Sequence, residues 1–275
     1  MSQSKIKILV ACHKPDIVYA DNVYVPIHVG RAISKYKEEM ADMIGDDTGD
    51  NISEKNPYYC ELTAQYWAWK NLNSEYVGLC HYRRYFETKI TEENIDKILG
   101  DKYDVLLVHP LYERQSVSTR LQKATCVEDV YIFYRCVMNL NPEYGELTCR
   151  FMKYNKFVPY NMFVMRKHLF ESFAKWQFSV LEEMEKFVKL SGYTRCRRLY
   201  GYMAEIMLPI FCEKNNLKIK YDEWVPMVGE KNGTNKLKRK LRDYVVNMMY
   251  TFWKDSGVPD FQAIKVGLQM DGIYI

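Results

Sequence analysis

The sequence predicts an α/β protein: one domain on a mostly parallel central sheet flanked by helices, followed by a basic helical tail. Three observations predict it. Short apolar runs at residues 6–12, 76–80 and 103–109 alternate with stretches of helical periodicity, the pattern of a parallel sheet with crossover helices. The first two of those runs stop abruptly at polar residues, His13 and Lys14 after the first and His81 after the second, as buried strands do when they open into a crevice. Between residues 169 and 190, Leu169, Phe173, Trp176, Val180, Met184 and Phe187 recur on one helical face, which reads as core. With 275 residues, 48% of them hydrophobic, the chain can bury a full core.

Taken in order, strand 6–12 (IKILVAC) is followed by a second strand or extended segment at 23–27. Residues 45–56 (GDDTGDNISEKN) are rich in Gly, Asp and Asn and form a loop. Helix 59–72 carries Leu62, Tyr66 and Trp69 at i, i+4 and i+7. After the strands at 76–80 and 103–109 comes helix 127–140, with Val130, Phe133, Tyr134 and Val137 inward and Pro142 as its stop. FVPYNMFVM (157–165) is a strand or extended segment. Beyond helix 169–190, a loop holds Arg195, Arg197 and Arg198, helix 201–215 follows, and KIKYDEWVPM is a last short strand. The expected division is a domain over 1–230 and a basic amphipathic tail over 231–275, without internal repeats or low-complexity segments.

The net charge of +4 is local. Lys231, Lys236, Lys238, Arg239, Lys240 and Arg242 have no acid among them, so the rest of the chain is slightly acidic. This argues against a general nucleic-acid binder, whose cations would spread along a face. Eight cysteines are scattered without CxxC pairs, several of them inside apolar runs, which implies buried thiols and a reducing, cytoplasmic compartment. The N-terminal apolar run is too short for a signal-peptide core or a membrane span.

The richest stretch is 56–86, NPYYCELTAQYWAWKNLNSEYVGLCHYRRYF, where a helix dense in aromatics leads into a strand that ends in His81, Tyr82, Arg83 and Arg84. Two guanidiniums at a strand's carboxyl end suit an anion such as a diphosphate, because their fixed donors match its oxygens in pairs. The alternative is a pair of surface cations matched to nearby carboxylates. Glu205, set among apolar residues in YMAEIML, must be paired, bound to a ligand or raised in pKa, and Arg198 one to two turns earlier is a candidate partner. The loop carboxylates Asp46, Asp47 and Asp50 suit turn capping better than cation binding. GxGxxG, GxxxxGK[ST], GxSxG and HExxH are all absent, which disfavours dinucleotide enzymes, P-loop NTPases, serine hydrolases and zinc peptidases. There is also no Asp-x-Asp triplet to hold a metal on a sugar-nucleotide diphosphate. Fixed cations such as Arg83 and Arg84 can neutralise a departing diphosphate in its place, so no cofactor is expected and a metal-independent site is favoured.

Several strings, namely ACHK (11–14), GDDTGDNIS (45–53), YCELTAQYWAWKNLNSEYVGLCHYRRYF, YNMFVMRKHLF (160–170) and RLYGYMAE (198–205), resemble the bacterial capsular and exopolysaccharide glycosyltransferases that carry an HYRRYF signature. The resemblance spans about residues 5–225. It implies a GT-A-like fold, a nucleotide-sugar donor, UDP-linked by expectation, and transfer of a hexose, often galactose, to a lipid-linked glycan. By motif match, His81, Arg83 and Arg84 would face the donor diphosphate. Ala11, His13, Lys14, Asn51, Glu61, Trp69, Lys70 and Asn161 would belong to the donor pocket. Glu205 and His81 are the expected catalytic groups, with Glu205 either a base on the acceptor hydroxyl or a holder of a sugar hydroxyl. One departure stands out: where the family usually has a His before an acidic pair, this chain has Thr125 and Cys126 before Glu128 and Asp129, so sugar and linkage are not carried over.

In the tail, Leu237, Leu241, Tyr244, Val245, Met248, Met249 and Phe252 recur at helical spacing among Lys238, Arg239, Lys240 and Arg242. That pattern suits either peripheral contact with an anionic membrane, at the cytoplasmic face of the inner membrane, or a core-packed helix with a solvated basic face. The reading from a different class is a non-catalytic module that binds a phospho-ligand or RNA through Arg83, Arg84 and exposed aromatics such as Trp67 and Trp69.

Overall fold

The computed structural model describes residues 4–255 and 261–275. The chain divides into two compact units. Unit one comprises Met1–His109, Val158–Lys175 and Asn215–Gly233; unit two comprises Pro110–Phe157, Trp176–Lys214 and Thr234–Ile275. This differs from the division at 230 read from sequence, because the chain passes between units several times, once inside a single helix.

Unit one is built on a seven-stranded sheet. Its strands are β1 (Ser4–Cys12), β2 (Tyr24–His28), β3 (Ile44–Gly45), β4 (Ser74–His81), β5 (Val105–Val108), β6 (Phe163–Arg166) and β7 (Ile219–Asp222), in the spatial order β7-β5-β6-β4-β1-β2-β3. All neighbours run parallel except β6, which is antiparallel to both β4 and β5, so the sheet is mostly parallel as expected. The central strands are buried on both faces, which is why they read as unbroken apolar runs rather than as alternation. At Gly78 in β4 a side chain would meet Ile8 and Val164 at 2.9 Å, so glycine permits the close approach of β1, β4 and β6.

Four of the five histidines stand at carboxyl ends of parallel strands: His13 after β1, His28 closing β2, His81 closing β4 and His109 after β5. The loop entering β6 and the residues after β7 reach the same edge. A short antiparallel ladder there pairs Tyr85 with Val225 and Phe86 with Trp224.

The helix expected over 59–72 is broken. A single turn, Asn56–Tyr59, stops at Cys60, whose φ is 54°, and α1 runs only over Leu62–Asn71. The Asn56 side-chain amide donates to the Cys60 carbonyl at 2.7 Å, so a local polar contact replaces the helical ladder.

Unit two is mostly helical. Ser116 caps α2 (Val117–Ala124) by accepting from the Thr119 amide, and Cys126 with Asp129 forms a capping box on α3 (Val127–Leu140). Thr125 and Cys126, the departure from the family pattern, thus form the junction of these helices. Pro142 does more than stop α3. It occupies the first turn of α4 (Pro142–Met152), where its missing amide hydrogen costs nothing. Helix α5 (Lys167–Glu185) replaces the expected 169–190 and contains the boundary between units. Within unit two its Trp176 stacks on Tyr144 at 4.3 Å. Residues 194–197 form a short helical turn, and α6 (Leu199–Lys214) follows.

The tail residues belong to unit two as α7 (Lys236–Phe252) and α8 (Phe261–Met270). One face of α7 is turned inward, with Arg239, Asp243 and Val246 half-buried and Tyr250 buried, and the Tyr250 hydroxyl donates to the Lys153 carbonyl at 2.6 Å. The opposite face holds the apolar stripe. Leu237, Leu241, Tyr244 and Phe252 are 77%, 63%, 67% and 75% exposed.

All eight cysteines are free thiols. Burial pushes the Cys12 thiol up to about 12 and the Cys80 thiol well above its usual value, so both behave as small hydrophobes. His28 is fully buried, and neither ring nitrogen has a hydrogen-bond partner among the described residues. Burial disfavours the imidazolium more than Asp46 attracts it, so the His28 pKa lies below the ordinary histidine value. Below about pH 6.5 the unfolded chain takes up this proton while the folded chain does not, and stability falls with pH. Melting temperatures measured from pH 8 down to 5.5 should therefore decline, and His28→Gln should flatten the decline across that window.

Candidate active site

The site is assembled at the carboxyl edge of unit one. After β4 the chain reverses tightly: the His81 amide donates to the Arg84 carbonyl at 3.1 Å and the Arg84 amide to the His81 carbonyl at 3.0 Å. Tyr82 and Arg83 occupy the tip, and the Tyr82 amide donates to the Ala11 carbonyl at 3.3 Å, which ties the turn to the end of β1. His13 meets the Tyr82 ring edge-on at 5.5 Å. Lys14 is half-buried just beyond.

The two arginines part company. Arg83 donates to Asp16 through Nε and Nη2 at 2.9 and 2.6 Å, and this guanidinium holds the Asp16 carboxyl below the usual range. It is the strand-end ion pair that the alternative reading anticipated. Arg84 lies over the Tyr160 ring, 4.3 Å from its centroid, with Trp224 at 6.0 Å, and has no carboxylate within ion-pair distance among the described residues. A flat cation on an aromatic bed keeps its edge donors for another acceptor.

His81, Glu61 and Asn161 meet beside it. The His81 Nε2 lies 3.1 Å from the Tyr160 carbonyl and 3.8 Å from Glu61 Oε1, and Asn161 Nδ2 donates to the same Glu61 oxygen at 2.6 Å. With a carbonyl as partner, Nε2 carries the proton. Glu61, at the N-terminus of α1, and Asn161 are both buried. Tyr160 and Asn161 have φ of 77° and 51°, two consecutive residues in the left-handed region, which is uncommon outside glycine and is sustained only where surrounding contacts demand it.

Other expected residues lie elsewhere. Trp69 and Lys70 stand at the far end of α1 from Glu61, about 14 Å along the helix axis at 1.5 Å per residue. There Lys70 lies over the Trp69 ring at 3.7 Å and pairs with Asp50 at 3.8 Å. Asn51 makes a local turn, accepting from the Ser53 amide at 3.1 Å. Of these three, Lys70 ties the acidic loop to α1 through Asp50. Asp46 has turn chemistry too: it accepts from the Gly30 amide at 2.7 Å, the Arg31 amide at 3.1 Å and the Ser53 hydroxyl.

Glu205 belongs to unit two. Arg120 of α2 is an ionic neighbour, with Nη2 3.8 Å from Glu205 Oε2, and Arg198, the partner read from sequence, lies over the Tyr202 ring at 5.5 Å. Sequence reasoning also missed Tyr160 and Trp224, the bed of Arg84, and the pair of His109 with buried Glu223 at 3.8 Å. The available signals were aromatic residues flanking Asn161 and a histidine following an apolar strand.

The chain belongs to the family described as domain of unknown function (DUF4422), whose model matches residues 7–216. It is similar to a solved structure titled as the apo form of the bifunctional glycosyltransferase WbbM, with 28% identity and a TM-score of 0.69 over 85% of this chain and 48% of that one. This chain therefore spans about half of that protein. No curated protein matches it.

The cluster sets a measurable expectation. Asn161→Ala removes the donor to a buried carboxylate and keeps a side chain at positive φ, which should destabilise the protein by about 2–4 kcal/mol. Asn161→Gly loses the same hydrogen bond but relieves the backbone. It should be more stable than the alanine variant by about 1 kcal/mol in chemical denaturation.

Proposed function

We propose that this chain is a glycosyltransferase that moves a hexose, galactose by resemblance, from a UDP-linked donor to a lipid-linked glycan in capsule or exopolysaccharide assembly. The observation that carries the proposal is Arg84, a guanidinium on an aromatic bed with no carboxylate partner among the described residues, beside the His81–Glu61–Asn161 cluster at the carboxyl edge of a mostly parallel sheet. Similarity to a glycosyltransferase structure supports it. In the reaction, negative charge develops on the departing diphosphate. Arg84 meets that charge with donors whose orientation is set beforehand, which lowers the barrier without reorganisation at the moment of transfer. Arg83, already neutralising Asp16, contributes less, and His81, whose Nε2–H is committed to the Tyr160 carbonyl, donates to the diphosphate from Nδ1 only as the imidazolium. Fixed cations do the work that a metal does in Asp-x-Asp enzymes, and Glu205 is assigned to the acceptor hydroxyl.

Calorimetry with UDP, with and without a chelator, tests this. Arg84→Ala should weaken binding by about 1–3 kcal/mol with little change in melting temperature, and Arg83→Ala should cost less. Absence of binding to any nucleoside diphosphate rejects the donor assignment. Strict dependence on Mn²⁺ rejects the metal-free chemistry.

The outward face of α7 supports peripheral contact with an anionic bilayer at the cytoplasmic face of the inner membrane, where a lipid-linked acceptor would be found. No helix among the described residues is long and apolar enough to cross a membrane. The exposed stripe is flanked on its two sides by Lys238 and Lys240, and each cation near an anionic surface contributes about 1 kcal/mol. Because Tyr250 is buried in unit two, substitutions test this better than truncation. Leu241→Asp with Phe252→Asp should abolish co-sedimentation with anionic vesicles and leave the melting temperature intact. High salt should weaken binding only in part, since screening over about 10 Å leaves the apolar contribution. Equal sedimentation of the variant and the parent protein would show that this face is not the contact.

A further inference from the structure

Unit two contains its own cavity of about 300 Å³, at the small end of small-molecule sites. Its floor is apolar: Phe157, Leu121 and Ile206 are almost wholly buried. Arg120 is stacked on the Phe157 ring, 3.8 Å from its centroid, and its Nη1 is fixed by Glu113 at 2.6 Å while Nη2 lies 3.8 Å from Glu205. Stacking and the Glu113 bond hold this guanidinium in one orientation, so Arg120 and Glu205 present a donor and an acceptor at fixed positions above an apolar floor. Tyr202 adds a half-buried hydroxyl and ring to the wall. A ring with apolar faces and hydroxylated edges is the ligand such a wall fits, because its C–H face packs on the floor while its hydroxyls pair with the carboxylate and guanidinium.

The charge is unbalanced. Arg120, Lys123 and Arg195 line the cavity with one carboxylate, Glu205, and Glu113 neutralises Arg120 from outside the lining, so the surplus rests with Lys123 and Arg195. Lys123 and Arg195 are exposed and tied together, the Arg195 guanidinium donating to the Lys123 carbonyl and the Lys123 ammonium to Gln115. Two exposed cations on the cavity wall favour an anion on the ligand.

We infer that this cavity binds the acceptor as an acidic saccharide, a sugar ring carrying one negatively charged substituent, either a carboxylate or a phosphate. Glu205 and Arg120 read its hydroxyls, and Lys123 and Arg195 read its charge. The inference rests on the glycosyltransferase reading for the word acceptor, but the cavity and its chemistry belong to unit two alone.

Titration of the full-length chain with methyl glucuronide, galactose 1-phosphate and neutral methyl galactoside, followed by saturation-transfer NMR and calorimetry at low salt, tests it. At least one anionic sugar should bind about tenfold more tightly than the neutral one. Which anion wins separates a uronate from a phosphosugar. The double variant Lys123→Gln, Arg195→Gln should lose that preference while keeping the neutral affinity, and Glu205→Gln should weaken all three. Melting temperatures identify any variant that fails to fold; charge preference measured in the parent protein as a function of salt then replaces it, and should fall as salt rises. Equal binding of charged and neutral sugars, a preference that survives the double variant, or inorganic phosphate competing as well as the sugar would overturn the inference. UDP binding measured in the same samples separates the two ideas: UDP bound without any acidic sugar rejects this pocket alone, and sugar bound without UDP rejects the donor site alone.

Discussion

The buried carboxylate of Glu61 is the constraint on which the edge of unit one depends. A carboxylate removed from water must be met by donors: Asn161, in the loop that enters β6, donates to it at 2.6 Å, and His81, at the end of β4, stands 3.8 Å away. Asn161 reaches it only because two successive residues adopt the left-handed conformation, at a cost of about 1–3 kcal/mol each. That same kink turns the Tyr160 carbonyl onto His81 and lays the Tyr160 ring under Arg84. One strained dipeptide therefore orients both groups that would face a departing anion. The strain is offset by the hydrogen bonds it makes possible.

Much of this was legible in the sequence, and what was not has physical causes. Strands buried on both faces must be continuous apolar runs, so β1, β4 and β5 were visible, and polar residues marked where β1 and β4 end. The direction of β6 was not visible, because FVM has the same burial needs in either orientation. The break at Cys60 and the kink at Tyr160 depend on side chains of other segments satisfying the backbone, and nothing in CEL or PYN alone announces them; Asn tolerates positive φ, but Tyr does not. Arg120 as the neighbour of Glu205 was hidden for the same reason. Proximity in sequence pointed to Arg198, while packing of α2 against α6 brings up a residue of another helix.

Helix α7 shows a related limit. An apolar stripe has the same periodicity whether it faces core or solvent. Here the face opposite the stripe makes the attachment, through Tyr250, with half-buried Asp243 on the same side, side chains whose polar atoms would not normally be assigned to an inner surface. The helix thus has a covered face of mixed character and an open face that is apolar, the reverse of an ordinary surface helix. Leaving several large side chains in water carries a hydrophobic cost of roughly 25 cal/mol per Å². Covering the face, as the proposed bilayer contact does, removes this cost.

The division of labour between Arg83 and Arg84 follows from their place in the turn. His81 and Arg84 pair across a two-residue reversal, so Arg83 sits at its corner, free to lean toward the loop after β1, while Arg84 begins the returning strand and points the other way. Asp16 captures the first; the Tyr160 and Trp224 rings capture the second. A lysine at position 84 would keep the charge but lose the flat stack, and its ammonium would be free to swing. Arginine supplies a cation whose position is fixed before any ligand arrives, which is what electrostatic stabilisation of a short-lived charge requires.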